Sequence, residues 1–226
     1  MLARQFSTSL GVYCLLLGWA AAYSRAAEPA AIVWTLDRTD SIGGHKPTVK
    51  GAPKVIDAEQ GKAVAFDGRQ DALVVPVNPL AGLAAFTVEA IFRPDAGGAR
   101  EQRFIHIQDE GERRAMLEIR LLPDGWYADT FLRSGRAQRA LNDPKLLHPA
   151  GRWYNLTLVY DGQQMTQYVN GRRELSARVA FQPMEKGQVS LGARLNDVFW
   201  FQGAILKVRF TPRAISPDEF LKAPEK

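Results

Sequence analysis

The sequence predicts an all-β chain folded as a two-sheet antiparallel sandwich. Three observations carry that expectation. From Ile32 onward, apolar residues alternate with polar ones over short runs, the period of a strand with one buried face. The runs stop at turn-forming pairs such as Asp67-Gly68, Asp161-Gly162 and Asn170-Gly171. No window holds a helical apolar period over three turns. Roughly a dozen strands in one run also exceed what an open sheet carries without splitting into two packed layers.

The elements follow in order. Ile32 to Leu36 forms a first strand, and Asp37 to Pro53, rich in Gly, Pro and polar residues, is expected to be a long surface loop. Ala63 to Phe66 and Ala72 to Val75 are short strands. In Phe86 to Phe92, residues Phe86, Val88, Ala90 and Phe92 share one face. Arg103 to Gln108, Ala115 to Leu122 and Trp126 to Leu132 come next, with Leu117, Ile119 and Leu121 turned to the core and Glu118 and Arg120 turned outward. Tyr154 to Tyr160 and Met165 to Val169 are joined through Asp161-Gly162. Asn170-Gly171 then turns the chain into Arg172 to Val179. Gln188 to Leu191 and Ala204 to Phe210 complete the set. Ser216-Pro217-Asp218-Glu219 reads as the start of a short C-terminal helix, with Ser216 as cap and Pro217 at the first position.

The first 26 residues read as a secretory signal peptide. Arg4 precedes an apolar run from Leu10 to Ala22, which is shorter than the roughly 20 residues a membrane span requires. Ser24 and Ala26 stand at the −3 and −1 positions of a cleavage site, so the mature chain is expected to start at Ala27 and to form one domain over 27–226. The expected location is secreted or periplasmic, with no membrane span once the leader is removed. Loss of Arg4 and Arg25 takes the 29 basic residues to 27 against 24 acidic ones, so the net charge falls from +5 to +3. A charge this small and dispersed argues against a nucleic-acid partner. The single cysteine, Cys14, lies in the leader, so the mature chain has neither a disulfide nor a thiol nucleophile and depends on burial for stability. Apolar residues at 46% and charged residues at 23% supply a core of ordinary size.

Six segments in a fixed order resemble one family. Phe66-Asp67-Gly68 is similar to its early FDG turn. Phe86-Thr87-Val88-Glu89-Ala90 resembles its FTVEAW strand, and Arg93-Pro94-Asp95 the RPD that closes it. Trp153 to Gly162 resembles its W-to-DG strand, and Tyr168-Val169-Asn170-Gly171 its YVNG turn. Gly203 to Ser216 stands where the closing strand and final short helix belong. The chain thus resembles a laminin-G-like jelly roll of the concanavalin A-like lectin and glucanase superfamily in its bacterial exported form, over about residues 60 to 221. The resemblance implies a jelly-roll fold and a binding role. Its closing strand often reads G-x-I-D-D-V and supports a structural calcium ion. Here Leu206 and Lys207 replace both acids, so calcium is not carried over, although Asp67 and Asp197 remain as oxygen donors. No cofactor is expected.

Catalytic patterns are sparse. The glucanases of this superfamily place carboxylates as E-x-D-x-x-E, and that pattern is missing. The nearest acidic group, Asp109-Glu110-Gly111-Glu112, adjoins Arg113-Arg114 and reads as a solvated hairpin tip. A polysaccharide lyase would need a Tyr or His base and an Arg or Gln to neutralise a uronate, and His106, Gln108, Arg120 and Tyr127 are residues of those types on neighbouring strands. Cross-strand ion pairs of Glu118 or Asp129 with Arg120 or Arg133 are the plainer alternative. His45, His106 and His148 lack metal-ligand spacing, Ser134 and Ser190 lack a nucleophile elbow, and Asn155 is a sequon residue inside a strand.

Aromatic residues are the better lead, because sugar rings present apolar C–H faces to indole and phenol rings. Trp126, Tyr127, Tyr168, Trp200 and Phe201 fall outside the clearest core stripes, whereas Trp34 and Trp153 belong to the core. The run Val198 to Phe201 is expected to close one end of the sandwich. The expected binding residues are Glu118, Arg120, Trp126, Tyr127, Asp129, Arg133 and Trp200, with no catalytic and no metal-ligating residue. The expected function is a non-catalytic module for a polysaccharide or glycoconjugate. A lyase-type enzyme and a protein-interaction domain of the cell envelope are the alternatives.

Overall fold

The computed structural model describes residues 30–224, so the expected leader lies outside the described residues. Fifteen strands are present among the described residues: β1 Ile32–Thr35, β2 Thr48–Lys50, β3 Lys54–Ala58, β4 Gly61–Asp67, β5 Ala72–Val75, β6 Phe86–Pro94, β7 Glu101–Asp109, β8 Arg114–Leu122, β9 Gly125–Ser134, β10 Ala137–Asn142, β11 Tyr154–Tyr160, β12 Gln164–Val169, β13 Arg172–Arg178, β14 Gly187–Leu191 and β15 Gln202–Thr211. They form two antiparallel sheets. The first has the order β13-β12-β11-β6-β15-β4-β3, with β1 pairing along β15 beyond β4. The second has the order β10-β9-β8-β7-β14-β5-β2. Among the described residues no helix is long and apolar enough to cross a membrane.

The inner faces meet in an aromatic core. Phe92 of the first sheet stacks on Phe104 of the second at 4.3 Å between centroids and 11° between planes, and Trp126 meets Phe92 edge-on at 5.2 Å. Phe201 closes on Phe104 at 5.3 Å. Phe104 reaches this position through a β-bulge. The β7–β8 register slips between Arg103 and Ile105, so Phe104 and Ile105 both turn inward while Arg103 and His106 both face out. Strict alternation from Arg103 would have sent Ile105 to the outside and His106 into the core.

The outer face of the first sheet is covered. Glu89 points outward from β6, fully buried beneath the C-terminal segment. It accepts hydrogen bonds from the Leu221 amide at 2.7 Å and from Arg209 at 2.5 Å. Ile215 and Phe220 pack on Val159, while Leu221 and Ala223 flank Trp153 and Leu206. The expected C-terminal helix is a single 3₁₀ turn, Pro217–Glu219. It stops because Phe220 must extend to bring Leu221 onto Glu89.

Three expectations are corrected here. The stretch from Asp37 to Pro53 is not wholly loop, since it supplies β2 and buries Ile42 in the core. Both β3 and β10 form from sequences with little apolar alternation; they sit on sheet edges, where one hydrogen-bonded neighbour suffices to hold a strand. The acidic hairpin tip is only partly solvated. Asp109 is buried, bonded to Arg113 at 2.5 Å and to the Glu185 amide at 2.9 Å.

Truncating the stack tests how far the two sheets depend on it. Phe104→Ala is expected to lower unfolding free energy by about 3–5 kcal/mol, read from urea denaturation with an unchanged m-value.

Candidate functional site

The second sheet leaves its outer face open, and cross-strand register orders the outward side chains there into rows. Glu101, Arg120 and Tyr127 form one row, and Arg103, Glu118, Asp129 and Asn142 the next. Ser190, His106, Met116, Phe131 and Ala140 follow. The last row is Gln188, Gln108, Arg114, Arg133 and Gln138. A groove of about 270 Å³ runs across β7 to β10, floored by Met116 and Phe131 and walled by Arg103, Arg114 and Arg133, with Arg194 reaching in from the loop after β14. A larger cleft of about 780 Å³ lies beyond the last row, between Asn78, Glu110 and Lys186.

Orphaned polar atoms single out the groove. Eight buried side-chain nitrogen or oxygen atoms lack a hydrogen-bond partner among the described residues, and five are on this face: His106 Nε2, Arg114 Nε, Glu118 Oε1, Ser190 Oγ and Arg103 Nε, the last of which still makes an ion pair with Glu118. Buried polar atoms are ordinarily paired, so their concentration on one sheet face marks this face as the candidate site. The larger cleft contributes none of them.

The charges divide along the groove. At one end they pair. Arg120 binds Asp129 at 2.6 Å and also contacts Glu101; Arg103 lies 2.9 Å from Glu101 and 3.1 Å from Glu118. Asp129 also accepts from Asn142 at 3.1 Å. Glu118 is 3% exposed, and burial raises its pKa to about 7; nearby Arg103 opposes the rise and Asp129 adds to it. At the other end positive charge accumulates, because Arg114 stands directly across the strands from Arg133. Burial, then the guanidiniums of Arg133 and Arg194, lower the Arg114 pKa. His106, 1% exposed, is lowered to about 3 by burial and by Arg194, Arg114 and Arg103, so its ring is neutral at physiological pH. Its Nδ1 accepts the Leu195 amide at 3.0 Å, which leaves the ring proton on Nε2 as a donor.

The loop carrying Arg194 is anchored at both ends. Gly192 donates to the Phe104 carbonyl at 3.0 Å, and its missing side chain matters, since a Cβ would sit 2.3 Å from the Phe66 ring at φ +90°. Farther on, the Phe199 ring lies under the Arg103 guanidinium at 3.7 Å, and Lys50 pairs with Asp197. Asp197 and Phe199 both hold positive φ, at 60° and 58°. The loop's aromatic side chains therefore brace the groove instead of merely closing the sandwich.

Of the residues expected at the site, Glu118, Arg120, Asp129 and Arg133 all line the groove. Glu118 faces outward as expected but is buried. The plain ion-pair reading holds for Arg120 with Asp129, whereas Glu118 pairs with Arg103. Tyr127 faces the same side one row away and is largely buried. Trp126 is corrected. It is fully buried and packs on Phe92, Tyr154 and His148, because it shares the inward phase of Ala128 and Leu132. Phe201 is likewise core, and Trp200 is half-buried on the loop, outside the groove lining. The lyase set is not assembled. His106 pairs with Met116, four residues along β8 from Arg120, or about 13 Å in a strand. Arg103, Arg114 and Arg194 escaped the sequence reading. For Arg114 the outward phase of β8 was the available signal; Arg194 belongs to an irregular loop and has none.

Among the described residues no three His, Cys, Asp or Glu side chains converge as metal ligands. Asp67 instead caps the turn after β4, accepting the amides of Arg69, Gln70 and Asp71.

Comparison with known proteins follows this geometry. Domain 4 of the extracellular arabinanase AbnA from Geobacillus stearothermophilus, solved with arabinotriose, superposes with a TM-score of 0.62 at 21% identity, covering 83% of this chain and 94% of that one. The botulinum neurotoxin DC binding domain, solved with SialylT, gives 0.60 at 10% identity over 83% of this chain and 49% of that one. The heptameric pentraxin of Limulus polyphemus gives 0.53 at 17%, over 68% and 76%. At these identities the likeness is one of fold. The search of curated proteins found no match. A sequence profile described as the concanavalin A-like lectin/glucanases superfamily matches residues 66–220, through the strands that make both the aromatic core and the open face. The chain is a member of the concanavalin A-like lectin/glucanases superfamily.

Proposed function

We propose that the protein is an exported, non-catalytic module that binds a polysaccharide or glycoconjugate on the open face of its second sheet. The observation that carries this reading is a set of buried polar atoms without hydrogen-bond partners on this face, Arg114 Nε and Glu118 Oε1 in the groove and His106 Nε2 and Ser190 Oγ on the strands beside it, around an aromatic floor. Sugars need such a mixture, since hydroxyl groups take hydrogen bonds from Arg and His and give them to Glu118, while a ring face rests on Phe131. Two structural neighbours support it, the arabinanase domain solved with arabinotriose and the neurotoxin domain solved with SialylT. The two carboxylates of the groove are tied up in ion pairs, which favours binding over hydrolysis. Glu118 and Asp129 are directly paired across β8 and β9, and Arg103 and Arg120 engage them. A leader-bearing chain would carry out this binding outside the cytoplasm.

A glycan array probed with the full chain is expected to give sugar hits that fall about tenfold in Phe131→Ala, equivalent to about 1.4 kcal/mol. An array without hits at high protein concentration would remove the reading.

Glu118 also makes the face pH-sensitive. Its pKa rises from 4.5 unfolded to about 7 folded, so the folded state holds the proton more tightly and stability is lost as pH climbs across that interval. His106 acts oppositely, falling from 6.5 to about 3, so its contribution is lost as pH drops through that range. The two slopes offset each other between the ordinary values of the two groups. In Glu118→Gln the first slope disappears, and the Tm gain of the variant over wild type is expected to grow from acid to neutral pH. Calorimetry across the interval checks this; a constant difference would contradict the assignment.

A further inference from the structure

Three guanidiniums gather at one end of the groove. Arg114 and Arg133 are direct cross-strand partners on the same face, an arrangement in which like charges destabilise a sheet. Arg194 joins them from the loop after β14. Every other arginine in the groove is matched, Arg103 by Glu101 and Glu118, and Arg120 by Glu101 and Asp129. At this end Arg133 and Arg194 have no carboxylate partner among the described residues, and Arg114 has only Glu112, 3.9 Å away on an exposed hairpin tip. The Arg114 Nε is buried and unpartnered, and the unpartnered His106 Nε2–H and Ser190 Oγ lie in the adjoining row. Arg133 Nε donates to the Gly135 carbonyl at 3.3 Å, so donors converge here with few acceptors and no close carboxylate.

We infer that the bound glycan is anionic and that its carboxylate or sulfate group is held by Arg114, Arg133 and Arg194, with the His106 Nε2–H and the Ser190 hydroxyl beside it. This rests on the glycan-binding reading above and specifies its substrate class. Guanidinium forks match the paired oxygens of both groups, and a negative ligand would relieve the repulsion that the empty cluster imposes on the sheet. The neighbouring row, where charges are already neutralised internally, would then take the uncharged hydroxyls of the next sugar unit.

The test uses the full chain and four polymers: polygalacturonate, its methyl ester, dextran sulfate and arabinan. Binding is expected to polygalacturonate or to dextran sulfate, and which of the two is retained distinguishes carboxylate from sulfate. It should weaken as salt rises and fall at least tenfold in both Arg133→Ala and Arg194→Ala. The Tm of Arg133→Ala should equal or exceed that of wild type, because the variant removes a repulsive pair; a lower Tm accompanying the lost binding would make Arg133 a structural residue and overturn the inference. Charged polymers that bind the variants as tightly as wild type would overturn it too. Equal binding of arabinan or the methyl ester, indifferent to either substitution, would overturn the anionic subsite and leave glycan binding standing. Silence from all four polymers and from a broad glycan array would end both.

Discussion

Phe92 and Phe104 lie plane to plane across the two sheets, and the packing of that pair decides what the far side of the second sheet can present. Phe104 is the extra residue of a bulge. Its ring is drawn inward by Phe92, Phe201 and the surrounding aromatic cluster, and Ile105 follows it inward. Only with two successive inward residues can Arg103 and His106 both emerge on the outside, one beside Glu118 and the other beside Ser190. The hydrophobic core thus sets the register of a polar surface it never touches.

The two outer faces of the sandwich solve the same problem differently. Both carry a buried carboxylate near the middle of a strand. Glu89 on the first sheet is satisfied by Arg209, the Leu221 amide and, at 3.4 Å, Asn155, all brought over it by β15, β11 and the C-terminal segment. Burial raises the pKa of both carboxyls, but Glu118 on the second sheet lacks such a cover and retains an unpartnered oxygen. Desolvated polar groups without partners cost stability in the folded chain. Among the described residues, four or more such atoms remain on the second sheet's face, whereas the first sheet's outer face keeps one, Thr211 Oγ1.

The same contrast appears in the arginines. Exposed ion pairs contribute little to stability, and the exposed pair of Arg38 with Asp40 needs no further explanation. Arg114 opposite Arg133 works against the sheet that holds it. A rigid β-scaffold tolerates that because the core residues behind β8 and β9, Leu117, Ile119, Trp126 and Leu132, are almost wholly removed from water. The scaffold thereby fixes these charges in place, and the proposed ligand would meet a preordered cluster.

Much of the fold was legible along the chain. Alternation in Phe86 to Phe92 and Leu117 to Leu121, together with the Asp-Gly and Asn-Gly turns, determined which elements are strands and which residues face inward. That phase also placed Glu118 and Arg120 on one outer surface. Edge strands β3 and β10 were illegible because a strand that pairs on one side and stays largely wet needs no apolar alternation. Trp126 was misread, since it shares the parity of Ala128 and Leu132 and turns inward with them. Sequence by itself determined the class of element and the sides of each strand, since these follow from period-two spacing within a few residues. Only the tertiary structure decided that β7 is bulged, that the C-terminal segment covers one sheet while the other stays open, and that Arg114, Arg133 and Arg194 meet. Those outcomes arise from contacts between residues far apart in the chain, where no local spacing records the neighbour.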